Sequence, residues 1–300
     1  MERRVLGKTG LEVSVLGFGG AEIGFEKASE ATVKELLSAA LDQGLNAIDT
    51  AECYVNSEAL IGRAIGSRRN DFYLFTKCGH KSSNFEPAWT GADIAQSLER
   101  SLRALQTDYV DLLQLHSCSK EILAKGEVVE ALQKAKKEGK VRFIGYSGDS
   151  KDAVAAIKLD VFDTLQTSVN VFDQECLELT LPLARQRDMG VIAKRPIGNA
   201  VWRFAEKPDN SYWHEYWERM KALGYSFTVA GASGSEAAEI ALRFTLSVPG
   251  ISTMIVGTTR PGRWKDNADL VAKGKLEQAQ FASIREAWCK HSQATWVGQV

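Results

Sequence analysis

The chain has 300 residues and a formal net charge of −1, because 37 lysines and arginines face 38 aspartates and glutamates. This balance argues against a partner such as nucleic acid and against binding to an anionic membrane surface. With 44% hydrophobic and 25% charged residues, the composition is that of a soluble globular protein and excludes a disordered or collagen-like chain. No apolar run approaches the ~20 residues that span a bilayer, and MERRVLGKTG lacks the apolar stretch of a signal peptide.

The cysteines and histidines bear on the compartment and on metal binding. None of the five cysteines forms a CxxC pair, so we expect free, mostly buried thiols and a cytoplasmic protein. The four histidines show no helical metal-ligand spacing, so we expect no metal.

Short apolar runs alternate with helical patterns along the chain. The Gly-Lys-Thr-Gly turn in RVLGKTGLEV predicts a hairpin that precedes them. The predicted strands are 15–20, 45–49, 71–77, 109–116, 141–147, 161–166, 190–196 and 252–257. The predicted helices are 30–43, 57–65, 91–105, 120–138, 150–159, 174–187, 234–247, 262–271 and 276–290.

This alternation predicts an α/β fold, a closed (β/α)8 TIM barrel that forms one domain over residues 1–300. The strands are nearly continuous apolar and β-branched runs, as strands buried on both faces must be. The competing fold, an open doubly wound sheet, would carry GxGxxG after the first strand, and GFGGAEIG does not match that pattern.

One segment interrupts the alternation. Residues 199–234 follow the seventh barrel strand and hold eight aromatic residues, in a connection far longer than a usual strand-to-helix loop. At the carboxyl end of a barrel strand such a segment is either a lid or pocket wall, or a small helical unit that packs its own core. The sequence leaves both open.

Polar side chains close successive apolar strands. Asp49, Lys77, His116, Ser147 and Gln166 end five strands in turn, at the face where a barrel carries its chemistry. Each alone is unremarkable, since an Asp there is often a helix cap and a His is often structural. Together they place an acid, a cation and an imidazole around one opening.

Tyr54, five residues after Asp49, can reach the same space. A lysine ammonium beside a phenol favours the phenolate, so we expect Lys77 to lower the pKa of Tyr54. Asp49 would hold Lys77 charged, and His116 would bind a substrate oxygen. Such a set can protonate a carbonyl oxygen while hydride reaches the carbon.

At this point a family resemblance is clear. The chain resembles the aldo-keto reductases from RVLGKTGLEVSVLGFGG to about residues 264–267. The motifs are IDTAECY-x2-SEALIGRAI around Asp49 and Tyr54, FTK at Lys77, DLLQLH at His116 and IGYS at Ser147. The resemblance implies that Tyr54 donates the proton, that Lys77 and Asp49 tune it, and that His116 orients a small-molecule carbonyl substrate.

The resemblance also implies a nicotinamide cofactor, NADPH, with NADH possible. The residues that it assigns to cofactor binding are Gly20, Ala21, Ser147, Gln166, Lys194, Arg195, Gly257, Thr258, Arg263, Asp266 and Asn267. Within VGTTRPGRWKDN, Thr258 and Arg263 would hold the 2′-phosphate. A guanidinium at a predicted helix start suits a phosphate dianion, which favours NADPH, although a solvated surface arginine is the alternative.

Three positions depart from the family pattern. Many members have Ser-Asn where this chain has Ser147-Gly148, and a lysine where it has Gly257. Many also place an aromatic residue against the nicotinamide where this chain has Lys194, followed by Arg195. We expect a lysine there to disfavour the oxidised, cationic ring, unless its side chain turns away to pair with an acid.

Three functions fit these residues to different degrees. The first is NADPH-dependent reduction of an aldehyde or ketone. The second is a cofactor-binding sensor, because the sequence also resembles the β subunits of potassium channels. The third, a Schiff-base aldolase using Lys77, fits less well because a nucleophilic lysine must spend time neutral. Trp89 and Trp202 are the predicted pocket residues, while the physiological substrate and the oligomeric state stay open.

Overall fold

Eight parallel strands close into a barrel in the computed structural model, which describes residues 1–80, 89–228 and 234–299. The predicted hairpin precedes it as β1 (Arg3–Val5) and β2 (Glu12–Ser14). The barrel strands are β3 (Leu16–Gly19), β4 (Ala47–Asp49), β5 (Tyr73–Cys78), β6 (Val110–His116), β7 (Val141–Ser147), β8 (Thr164–Ser168), β9 (Gly190–Lys194) and β10 (Ile251–Val256). They neighbour one another in chain order, and β10 pairs with β3 to complete the circle. The (β/α)8 fold predicted from the sequence is confirmed.

The hairpin seals the amino-terminal end of the barrel. Leu6, Leu11 and Val13 pack into one apolar cluster with inward-facing strand residues such as Phe75 and Leu112. Gly7 bridges to Met189, just before β9. Because this end is filled with apolar side chains, a polar site has room only at the carboxyl ends of the strands.

Helices surround the barrel. They are α1 (Ala21–Phe25), α2 (Glu30–Asp42), α3 (Ser57–Ile65), α4 (Gly91–Leu105), α5 (Lys120–Leu123), α6 (Glu127–Lys137), α7 (Ser150–Lys158), α8 (Glu175–Leu179), α9 (Leu181–Gln186), α10 (His214–Leu223), α11 (Gly234–Ser247), α12 (Arg263–Ala272) and α13 (Gln278–His291). Short 3₁₀ helices cover Gly66–Asp71, Gly198–Arg203, Ser211–Trp213 and Ser226–Thr228. In α4 the Thr90 side chain accepts from the Asp93 N–H and caps the first turn, while Ile94 and Leu98 face the core. No helix in the described part of the chain is both long and apolar enough to cross a membrane.

Two predicted helices are each divided in the structure. The 120–138 prediction becomes α5 and α6, because Gly126 takes a positive φ of 81° that a continuing helix does not allow. The 174–187 prediction becomes α8 and α9, which meet at Thr180. Pro182 lacks a backbone N–H and therefore suits the first turn of a new helix rather than a helix interior.

The aromatic-rich segment after β9 is largely helical and packs onto the barrel. Tyr216 of α10, Tyr225 and Phe227 belong to the same buried cluster as the strand residues, not to a separate core. Trp202 packs on Phe172 with 6.2 Å between ring centroids. Residues 229–233 of this segment lie outside the described residues. Tyr216, Tyr225 and Phe227 are thus part of the core of the barrel protein, whereas Tyr212 is 57% exposed.

Candidate active site

The strand register brings the predicted polar residues together at the carboxyl end of the barrel. Asp49 and His116 are the last residues of β4 and β6, and Lys77 is one residue from the end of β5. His116 pairs with Ser147, and Ser147 pairs with Gln166 across the next two strands. Since these residues sit at matched heights on neighbouring parallel strands, their side chains converge as the sequence predicts.

The Asp49 carboxylate is the centre of this polar group. Lys77 Nζ donates to its Oδ1. Its Oδ2 accepts from Gln166 Nε2 at 2.8 Å and from Gln114 Nε2 at 3.1 Å. Gln114 is absent from the sequence prediction because it lies inside an apolar strand, where its facing direction depends on the barrel register.

Lys77 links the carboxylate to the phenol. Its Nζ also donates to the Thr50 carbonyl at 3.0 Å and lies 3.5 Å from the Tyr54 hydroxyl oxygen. Burial alone would lower the pKa of Lys77, but the attraction of Asp49 and Tyr54 is stronger and raises it. The ammonium therefore stays charged, which argues against a Schiff-base lysine.

The pKa of Tyr54 differs from the expectation. Burial raises it to about 12, and the opposing attraction of Lys77 offsets only part of this shift. The sequence argument considered the lysine charge but not the loss of solvent around the phenol. Tyr54 thus holds its proton over the neutral range, as a proton donor must.

His116 is a neutral imidazole. Burial and the nearby charge of Lys77 lower its pKa well below the ordinary histidine value. Its Nδ1 lies 3.4 Å from the Cys53 Sγ, in the residue before Tyr54. A neutral ring can donate one hydrogen bond to a substrate oxygen.

A row of five rings runs along the opening from Phe25 through Tyr54, His116 and His80 to Trp89. The successive centroid distances are 5.7, 5.8, 5.4 and 5.5 Å. Phe25 is 49% exposed although it is large and apolar. Of the two predicted pocket residues, Trp89 joins this row, whereas Trp202 packs on Phe172. Neither Phe25 nor His80 was singled out by the sequence, because no local pattern shows that the end of α1 and the residues after β5 meet at this opening.

Lys194 turns to an acid, which is the alternative that the sequence left open. Its Nζ lies 2.8 Å from Asp149 Oδ2 and donates to the Gln299 carbonyl at 2.8 Å. Ser168 Oγ also donates to that carbonyl, at 3.1 Å. The C-terminal segment therefore packs over the ends of β8 and β9. Burial lowers the pKa of Lys194, and Asp149 opposes that shift.

The turn after β9 carries local backbone strain. Arg195, Asn199 and Ala200 take positive φ angles of 57°, 54° and 51°, although they are not glycine. A side chain at Gly198 would lie 2.5 Å from the Phe172 ring. Strain of this kind persists only where surrounding structure imposes it, and it is frequent at ligand sites. Arg195 packs on Tyr212 with 5.9 Å from its guanidinium carbon to the ring centroid.

Two departures from the family pattern have a steric explanation. A Cβ at Gly148 would lie 2.8 Å from the Tyr146 hydroxyl, so the asparagine common in the family has no room. Tyr146 is held there by donating to the Cys118 carbonyl at 2.6 Å. A Cβ at Gly257 would collide with the Glu22 carboxylate. This acid, in α1, was not foreseen from the sequence.

The predicted phosphate-binding segment begins α12. Arg263 is the first residue of that helix, which begins one residue after the predicted start at 262, and its N-cap Gly262 has no side chain to occupy the helix end. Arg263 is half exposed, with Nη1 3.9 Å from Asp266 Oδ2. Thr258 Oγ1 accepts from the Arg260 N–H at 3.1 Å, and Asn267 is buried.

The first-strand loop lies close to the polar group. Gly20 N–H donates to the Asp49 carbonyl at 2.7 Å, and a Cβ at Gly20 would lie 2.7 Å from Ser57 Oγ. Ala21 starts α1 directly behind it. A side chain at Gly20 would therefore require Ser57 to move.

These residues have the chemistry that a nicotinamide cofactor requires. Ser147 Oγ donates to Gln166 Oε1 at 3.1 Å, which leaves a hydroxyl oxygen able to accept from a carboxamide. Arg263 and the start of α12 provide a guanidinium fork and helix N–H groups, which suit phosphate. The donor set fits the cofactor.

A closed barrel with a Tyr–Lys–Asp chain and a neutral histidine at its carboxyl face defines a class of barrel oxidoreductase. Residues 15–289 match the model of the Aldo/keto reductase family. The chain therefore belongs to that family and is an NAD(P)H-dependent oxidoreductase.

Individual relatives agree with this assignment. The chain is 30% identical to an L-galactose dehydrogenase of Arabidopsis thaliana, over 91% of this chain and 89% of that one. It is 28% identical to an uncharacterized oxidoreductase of Bacillus subtilis, over 95% and 96%. The holo form of an aldo-keto reductase from Bacillus halodurans superposes with a TM-score of 0.82 at 26% identity, covering 96% of each chain.

Proposed function

We propose that this protein reduces an aldehyde or ketone to an alcohol, with Tyr54 as the proton donor. The observation that carries the proposal is the connected set of Asp49, Lys77 and Tyr54 beside a neutral His116. Reduced nicotinamide, when bound, supplies a hydride for the carbonyl carbon. Tyr54 gives its proton to the carbonyl oxygen, and His116 donates a hydrogen bond to the same oxygen.

Lys77 and Asp49 act on the phenol rather than on the substrate. As Tyr54 loses its proton, the nearby ammonium stabilises the developing phenolate. Asp49 holds that ammonium in place, and Gln114 and Gln166 hold the carboxylate. This arrangement lets a phenol with a high resting pKa act as an acid in the reaction.

NADPH is the cofactor that we expect, with NADH possible. Ser147 and Gln166 would hold the carboxamide, and Thr258 and Arg263 the 2′-phosphate. The positive charge and exposed position of Arg263 at the start of α12 support this choice. Asp266 and Asn267 follow on the same helix and would contact the adenine.

The predicted bias towards reduced cofactor stays a proposal. Lys194 would disfavour a cationic nicotinamide, but its pairing with Asp149 weakens its field. We expect Lys194→Tyr to raise the affinity for NADP⁺ relative to NADPH, by less than about tenfold because the charge is compensated. An unchanged ratio of the two dissociation constants would end this part of the proposal.

The substrate would have a flat ring or apolar face. The exposed Phe25 and the rings of His80 and Trp89 form a surface on which such a face can stack. The name of the Arabidopsis relative, L-galactose dehydrogenase, gives a second compound to test. This compound is an aldose, and its hydroxyl would be oxidised in the reverse reaction.

The test is cofactor turnover. NADPH and NADH oxidation is followed with a reactive aromatic aldehyde, and NADP⁺ and NAD⁺ reduction with L-galactose. Tyr54→Phe should abolish turnover, whereas Tyr73→Phe, at the opposite end of β5, should retain it. Cofactor binding without turnover of any carbonyl tried would favour a sensor. No binding of either cofactor would contradict the proposal.

A further inference from the structure

Cys53 contacts the imidazole that faces the substrate. Its Sγ lies 3.4 Å from His116 Nδ1, and the residue is only 6% exposed. Cys53 lies in the loop after β4, and His116 is the last residue of β6. Cys53 directly precedes Tyr54 in the chain, and His116 is the one histidine of the predicted catalytic set. The contact therefore links the loop that carries Tyr54 to His116.

The chemistry of the two groups favours the thiol as the donor in this contact. Burial raises the pKa of Cys53 to about 11, so sulfur keeps its proton at neutral pH. His116 has its pKa lowered by burial and is neutral. A neutral imidazole has one bare nitrogen, which is a much better acceptor than thiol sulfur. S–H donation to a bare Nδ1 is therefore favoured over N–H donation to sulfur.

We propose that Cys53 is a positioning residue that holds His116 in the tautomer with its proton on Nε2. Which ring nitrogen carries the proton is set by the hydrogen bond that the other nitrogen makes. With Nδ1 occupied by the thiol, the Nε2–H group can donate to a carbonyl oxygen. The proposal rests on the function proposed above for His116, but the tautomer itself does not depend on any substrate.

The loop that carries Cys53 explains why the two roles are coupled. In this loop the Tyr54 N–H donates to the Ala51 carbonyl at 3.1 Å, which forms a tight turn. The turn directs the consecutive side chains of Cys53 and Tyr54 to two different residues. Cys53 reaches His116, and Tyr54 reaches Lys77. The rings of Tyr54 and His116 meet edge-on, with 82° between their planes. One short loop thus aligns both donors that the carbonyl oxygen needs.

The direct test is the protonation of the His116 ring, read by ¹⁵N NMR of histidine-labelled protein without substrate. The four histidines allow assignment by comparison with His116→Gln. The wild type should show Nδ1 as a bare nitrogen and Nε2 as protonated. Cys53→Ala should give a mixture of tautomers, and Cys53→Ser, which keeps a donor, should restore the wild-type pattern.

Kinetics provide a second readout. Cys53→Ala should lower kcat about tenfold with little change in KM. This loss of kcat is small beside the ~10²–10⁴-fold loss expected when a proton-transfer group is removed. Cys53→Ser should recover most of this loss. The matched control is Cys176→Ala, which removes an equally buried thiol that donates to the Ser168 carbonyl instead.

The outcomes separate this proposal from the proposed function. If His116 keeps a single Nε2–H tautomer in Cys53→Ala, the positioning role is wrong. It is also wrong if the wild type carries its proton on Nδ1. If the tautomer changes as expected but no carbonyl is reduced by the wild type, the positioning role stands and the reductase proposal fails. If Cys53→Ala does not fold, Cys53→Val replaces it, because valine fills a similar volume without a hydrogen-bond donor and should give the same mixture of tautomers.

Discussion

Lys194 Nζ lies 2.8 Å from Asp149 Oδ2, between the ends of β9 and β7. Asp149 also accepts from the Ser168 N–H and from Thr167 Oγ1, both at 2.7 Å. Both charged side chains are largely removed from solvent, with relative exposures of 14% and 3%. Lys194 and Asp149 thus form a buried ion pair at the same end of the barrel as Asp49 and Lys77.

We expect Asp149→Asn to destabilise the fold by about 3–5 kcal/mol, because it leaves the Lys194 charge buried and uncompensated. Asp149→Asn combined with Lys194→Met should recover much of this loss, since both charges are then removed. Urea unfolding of the two variants and the wild type measures the difference. Equal instability of the single and double variants would show that the hydrogen bonds of Asp149, not the pairing, stabilise this region.

The pH dependence of reduction tests the environment of Tyr54. Because burial raises its pKa to about 12, the phenol stays protonated and active as a donor through the mildly alkaline range. At saturating cofactor, kcat for reduction should show no alkaline fall below the ordinary tyrosine pKa of about 10. If kcat falls near neutral pH while cofactor binding does not change there, the charge of Lys77 lowers the pKa of Tyr54 more than burial raises it.

Much of the barrel is readable from the sequence because its signals are local. Helices α3, α4 and α11 begin and end at the predicted residues, since their apolar faces repeat every three to four positions. The sequence did not predict that the helix expected over 120–138 divides at Gly126. A glycine inside a helical pattern is compatible both with one continuous helix and with two separate helices. The strand-end residues Asp49 and His116 were found because a polar residue that closes an apolar run is itself a local pattern.

The missed features are contacts between distant parts of the chain. Gln114 reaches Asp49, and Cys53 reaches His116, across 65 and 63 residues respectively. Their pairing depends on which way a side chain faces inside a closed barrel, which no local pattern encodes. The raised pKa of Tyr54 has the same origin, because burial is a property of the whole fold.

Arg263 should decide between the two cofactors. Arg263→Ala removes a charge-assisted contact to a 2′-phosphate, so the dissociation constant of NADPH should rise about tenfold or more while that of NADH changes little. Fluorescence titration with both cofactors measures this. Lys265→Ala is the control, because Lys265 is exposed on the same helix and pairs with Asp269. An equal loss for both cofactors would remove Arg263 from the 2′-phosphate site.

Glu22 should make cofactor binding depend on pH. Its carboxyl group lies against Gly257, at the start of the segment that we expect to hold phosphate. Burial raises the pKa of Glu22 to about 7, so the group is mainly neutral below that pH and charged above it. A carboxylate repels phosphate, and affinity should therefore fall as pH rises through about 7. At ~4 Å, with the screening of bulk water, one like charge costs about 1 kcal/mol, or roughly fivefold in affinity, and burial of the pair makes the repulsion larger.

NADPH is the ligand for this measurement, because the segment after Gly257 is proposed to hold its 2′-phosphate. The ionisation of that phosphate near pH ~6 affects the wild type and the variant alike. Glu22→Gln should remove the fall in NADPH affinity above about pH 7. Glu26→Gln is the comparison variant, because it keeps the Glu22 carboxyl group and removes only an exposed neighbour. The fall in affinity should remain, at somewhat lower pH, since the Glu26 charge contributes to the raised pKa of Glu22. If the pH dependence survives in Glu22→Gln, another group controls it. If the wild type shows none, the Glu22 carboxylate lies too far from the bound phosphates to act on them.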